Sequence, residues 1–108
     1  MKLILNGKEY KVDKINRKKN TIFNKAYEKI KVKAETNAEF NDNDLDLMVE
    51  TIVKLYDEQF TEDEVNEEME VADIIFNFMQ VQIEIQSKLN SKIEKAQKAF
   101  TKGKYGKK

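Results

Sequence analysis

Asp42, Asp44 and Asp46 stand at alternate positions, the spacing with which an acidic loop begins to wrap a calcium ion. An EF-hand loop also needs glycine at its sixth position, for a sharp turn, and a bidentate glutamate at its twelfth. Those positions hold Leu47 and Val53. The three acids are therefore read as the charged entry to a helix, where they complement the helix dipole. A second constellation is basic. Eight lysines and arginines lie between Lys14 and Lys33, with Phe23 and Tyr27 interleaved, the residue types that contact phosphates and stack on bases. Both aromatics fall on the apolar face of a predicted helix, where packing uses them. Ser87 and Ser91 have no histidine or lysine arranged as a base to activate them. The chain contains no histidine and no cysteine, which removes the commonest general base, the commonest transition-metal ligand and any thiolate site. Hydrolase, redox and zinc chemistry are argued against together. No catalytic, metal-binding or cofactor-binding residue is expected, and the chain reads as non-enzymatic.

Charge is distributed in three unlike blocks. Residues 1–34 carry eleven Lys/Arg against three acids, residues 35–73 one lysine (Lys54) against fifteen acids, and residues 74–108 eight lysines against two acids. The formal net charge is nevertheless zero. Local blocks, not the total, decide which surfaces attract one another or a partner. Such a chain can satisfy itself by folding, by head-to-tail assembly, or by holding a charged partner.

The elements that must carry these residues read clearly at the start of the chain. Leu3-Ile4-Leu5, Asn6-Gly7 and Lys8 to Val12 form a two-residue β-hairpin pattern, since Asn-Gly suits a type I′ turn. Folding there pairs Leu5 with Lys8, Leu3 with Tyr10 and Met1 with Val12, and places five apolar residues on one face. Three apolar residues are too few for the core of a signal peptide, and no run of about 18 apolar residues is present to cross a bilayer. A cytosolic protein with no membrane partner is expected.

From Lys8 to Lys102 there is neither proline nor glycine, so the rest is predicted to be helical. Ile22, Phe23, Ala26, Tyr27, Ile30 and Ala34 predict a helix over about 18–35. Leu45, Met48, Val49, Ile52, Val53 and Tyr56 predict a second over about 44–58, capped by Asn43 or Asp44. Thr61-Glu62-Asp63-Glu64 is a capping box that opens a third. A long helix then runs to about Phe100, with a bend or direct continuation near Glu70. Its first half, Val71 to Ile85, is apolar nearly all round, a pattern that places a helix at the centre of a core or under another chain. Its second half narrows to Leu89, Ile93, Ala96 and Phe100 among lysines.

The fold class is therefore α+β, mainly helical: an N-terminal β-hairpin packed on three to four α-helices, the last one long. One domain spans residues 1–100, followed by a flexible basic tail at 101–108.

In this order, the Lys-Leu-Ile-Leu-Asn-Gly-Lys-Glu-Tyr hairpin, the first helix, the second helix ending Leu55-Tyr56, the Thr61-Glu62-Asp63-Glu64-Val65 start and the final helix before a lysine-rich tail resemble the tail assembly chaperones of long-tailed phages (siphoviruses) of Gram-positive bacteria. The resemblance covers about residues 1–100 and rests on order, length and compositional style. It implies a non-catalytic protein that transiently binds the tape measure protein and recruits major tail protein while the tail tube polymerises. It also implies a homo-oligomer in the host bacterial cytoplasm that is absent from the mature virion. No cofactor is implied. Apolar residues on the last helix, Ile74, Phe78, Val81, Ile85, Leu89, Ile93 and Phe100, are the candidate partner-binding positions. The alternative function is a small nucleic-acid-binding regulator that uses the basic N-terminal and C-terminal blocks.

Overall fold

The computed structural model describes the backbone of residues 1–105 and the side chains of residues 1–99. It has the expected class: a two-stranded antiparallel hairpin, β1 (Lys2–Leu5) and β2 (Lys8–Lys11), followed by α1 (Arg17–Glu35), α2 (Asp42–Leu55), α3 (Glu62–Glu68) and α4 (Val71–Tyr105). The hairpin register is Lys2 with Lys11, Leu3 with Tyr10, Ile4 with Glu9 and Leu5 with Lys8. Its turn holds Asn6 at φ 51° and Gly7 at φ 76°, the two positive values that a type I′ turn demands and that Asn-Gly supplies with least strain. The Val12 N–H donates to the Met1 carbonyl at 3.0 Å, which makes the predicted Met1–Val12 pair one step beyond the strand ladder. Leu3, Leu5 and Val12 are buried while Ile4 is exposed, as alternation requires. Two strands alone are marginal in water. Here Tyr10 meets Phe60 edge-on at 4.9 Å between ring centroids, so the hairpin is held against the segment that joins α2 to α3.

Helix α1 starts at Asn16, whose side chain accepts from the Lys19 N–H at 2.9 Å. It buries Phe23, Ala26 and Ile30. Helix α2 is the centre of the molecule and packs against α1, α3 and α4. It begins earlier than the sequence reading placed it. Asn41 is the cap, and neither Asn43 nor Asp44 takes that role. Asp44 instead occupies the third helical position and accepts from the Asn41 N–H at 2.9 Å, while the Asn41 side chain accepts from the Asp44 N–H at 2.9 Å. The same carboxylate pairs with Lys33 on α1, a long-range contact that favours this start. Helix α2 ends at Leu55, short of residue 58, because Asp57 and Glu58 turn left-handed at φ 57° and 56°.

The Thr61–Glu64 capping box forms as read. Between α3 and α4 the chain breaks at Met69, which is extended (φ −102°, ψ 134°). No breaker residue stands there, but electrostatics favour the site. The last turn of α3 carries Glu67 and Glu68 and no base, an unfavourable charge for a helix C-terminus, whereas Glu70 and Asp73 suit the N-terminus of α4.

Helix α4 continues to Tyr105, past the expected end near Phe100, so residues 101–105 of the expected flexible tail are helical. The remainder of that tail, 106–108, lies outside the described residues. At about 1.5 Å per residue such a helix is about 50 Å long. Only its first half has a body to pack on. The molecule therefore measures 61 × 34 × 22 Å, with a radius of gyration of 17.3 Å, against about 13 Å for a compact domain of this length.

Candidate partner-binding surface

The seven residues singled out on α4 divide into groups. Ile74, Phe78 and Val81 are buried in the core, with the Phe78 ring 5.2 Å from that of Phe23 on α1. They hold α4 to its own domain and cannot meet a partner while the fold is intact. Their assignment as contact residues is thus corrected: the i, i+4, i+7 row they form is the intramolecular face of the helix. Ile85 is half-buried at the margin of that core. Leu89 and Ile93 are 48 % and 44 % exposed. They continue the apolar side of α4 beyond the last body contact, the Lys88 Nζ donating to the Asp13 carbonyl at 3.2 Å. The side chain of Phe100 lies outside the described residues.

A second apolar surface was not among the candidates. Phe76 and Ile83 are 61 % and 58 % exposed, on the side of α4 turned away from the core. Their signal was in the sequence, as the pair at i, i+7 that the row through Ile74, Phe78, Val81 and Ile85 leaves out. Phe76 also walls a cleft of about 470 Å³ between α4 and the hairpin, lined further by Tyr56, Gln80 and Glu84. Burial pushes the Tyr56 phenol up to about 12, and the neighbouring Glu84 carboxylate adds to the effect.

The charge blocks are partly satisfied by folding. Lys19 on α1 reaches Asp57 at 2.9 Å, and Lys33 pairs with Asp44. The Lys33 ammonium, and after it the Asn41 N–H, hold the Asp44 carboxyl below the usual range for aspartate. The basic first block thus meets the acidic second block across the α1–α2 contact. Its aromatics are used in packing: Phe23 is buried, and Tyr27, half-buried, stacks on it at 5.3 Å. Phe23, one of the two aromatics the nucleic-acid reading used, is closed to base stacking in the folded chain. The third block behaves differently. Lys88 lies 3.9 Å from Glu84, but among the described residues Lys92, Lys95 and Lys98 pair with no acid. Lys92 lies one turn from Leu89, and Lys95 and Lys98 occupy the opposite side of the same projecting helix.

Among the described residues no group of three or more His, Cys, Asp or Glu is placed to hold a metal ion, and no helix is long and apolar enough to cross a membrane. What the geometry offers is contact area: a projecting helix with bare apolar residues and free cations.

A family model described as phage tail chaperone protein matches residues 1–102. The chain belongs to that family. The match takes in the hairpin, all of α1 to α3 and α4 as far as Lys102, so the projecting half of α4 is part of the family's own unit. A tail chaperone works on other tail proteins, and surface of the kind that α4 leaves bare is what such work needs. Neither the comparison with curated proteins nor that with solved structures gave a match.

Proposed function

We propose that this tail chaperone transiently binds the tape measure protein of a long-tailed phage and recruits major tail protein during tube assembly, without catalysis. The observation that carries the reading is the bare stripe of Leu89 and Ile93 on a helix that outruns its domain. A tape measure protein has apolar helical surface that must be shielded until the tube encloses it. A helix laid against that stripe buries apolar area on both sides, while Lys92, one turn from Leu89, adds a salt-sensitive attraction to an acid beside it. Contacts of this size release readily, as a component that leaves before the tail is finished requires. The work is done in the host bacterial cytoplasm, and the protein is absent from the mature virion.

Co-expression with the tape measure protein tests this. The wild-type chain is expected to keep the tape measure protein soluble and to co-purify with it. The variant Leu89→Asp is expected to retain its circular dichroism and melting temperature, because the residue stands outside the core, and to lose the capture. Capture by this variant at wild-type level would remove α4 from the proposal.

A further inference from the structure

We infer that α4 pairs with α4 of a second copy as a parallel, in-register, two-stranded coiled coil seamed by Phe76, Met79, Ile83, Asn90 and Ile93. These residues recur at steps of three and four, with Gln86 completing the run. That is a heptad spacing, with Phe76, Ile83 and Asn90 at a, and Met79, Gln86 and Ile93 at d. The run lies almost opposite the row of Ile74, Phe78, Val81 and Ile85 that fixes α4 to its own core. In heptad terms those four occupy c and f, so the body lies mainly on the side of α4 away from the seam, with Met79 partly buried against it and Phe76 bordering the cleft beside the hairpin. Phe76, Ile83 and Ile93 are all substantially exposed. A helix apolar on both sides has one side still to cover.

The charges say what covers it. Between Val71 and Ala99 the lysines are Lys88, Lys92, Lys95 and Lys98, at f, c, f and b. None stands at the seam or beside it at e or g, so two copies approach along this face without their cations meeting. An anionic lipid surface would want those lysines flanking the apolar face, which they do not do. Only Asp73 and Glu94 are charged at e, and no charge stands at g. In a parallel pair the residues across from them are uncharged. An antiparallel pair with Phe76 facing Ile93 would set Asp73 against Glu94 and leave Asn90 opposite Met79. Asn90 also favours two parallel strands, since an asparagine at a bonds best to its own mate. Its Oδ1 already accepts from the Gln86 Nε2 at 3.2 Å, which leaves the Asn90 amide N–H groups free to donate across the seam. With Gln86 and Asn90 inside it, the pair is weak and concentration-dependent. Leu89, at g, stays at its edge, where a tail protein can still reach it, and Ile93 becomes available to that protein as this end of the weak pair opens.

The test uses the purified full chain with no tail component present, so its outcome is independent of the tape measure reading. Sedimentation is expected to show a mass rising from 12.7 kDa towards twice that as concentration increases. Phe76→Glu with Ile83→Glu is expected to abolish the rise and leave helicity unchanged. Asn90→Leu is expected to tighten association at least tenfold. The chain has no cysteine, so Ile93→Cys supplies a single thiol. Under oxidation it is expected to form a disulfide-linked dimer, which requires parallel register, because antiparallel packing separates the two copies of residue 93 by about 25 Å at 1.5 Å per residue. A chain that stays monomeric, a dimer that ignores the glutamates or Asn90→Leu, or an Ile93→Cys dimer that does not cross-link would each overturn the inference.

Discussion

At the scale of single residues, the titrations are set by who stands next to whom. Tyr56 is the clearest case. Its phenol ionises near 10.0 when free and is pushed up to about 12 in the folded chain, by burial first and Glu84 second. The fold favours the protonated phenol. The stability this contributes is complete below pH about 10 and is lost as pH rises from there through about 12. Urea melts at successive alkaline pH values are expected to show wild-type stability declining in that window, and Tyr56→Phe is expected to flatten that part of the decline. Asp44 works in the opposite sense. Its carboxyl is held below the usual range by Lys33 and by the Asn41 N–H, so its contribution is present above the ordinary aspartate range and fades as acid protonates it.

At the scale of elements, caps and turns were the most legible part of the sequence, because they depend on neighbours a few residues apart. Asn6-Gly7 set the hairpin register, and Thr61 with Glu64 set the start of α3. Replacing Thr61 by alanine is expected to lower stability by about 1 kcal/mol, the usual worth of such a cap, measurable as a shift of a thermal or urea midpoint with the slope unchanged. The start of α2 was less legible. Asn41, Asn43 and Asp44 can each cap a helix, and the tie is broken by Lys33 reaching across from α1, which no local pattern reveals. The division of α4 was legible only in half. The run from Val71 to Ile85 announced a helix apolar on all sides, but which of its residues face inward depends on where Phe23 and α2 lie. Ile74, Phe78 and Val81 went to the core, and Phe76 and Ile83 stayed outside. Beyond Ile85 the narrowing stripe of Leu89 and Ile93 was readable as it stands, since nothing in the body reaches it.

At the scale of the whole molecule, a small helical body carries one helix far beyond itself. Folding joins Lys19 and Lys33 of the basic first block to Asp57 and Asp44 of the acidic second, while among the described residues Lys92, Lys95 and Lys98 of the third block pair with no acid. The aromatics of the first block serve packing, Phe23 buried and Tyr27 stacked on it. The chain is a phage tail chaperone by family, and the central claim is that α4 is its working surface. Hydrogen exchange on the complex with the tape measure protein tests that claim most directly. Amides of α4 from Leu89 onward are expected to gain protection on binding, while those of α1 and α2 change little and the acidic face of α3 stays as it was. Protection appearing on α1 or α3, with the distal half of α4 exchanging as freely as in the unbound chain, would contradict it.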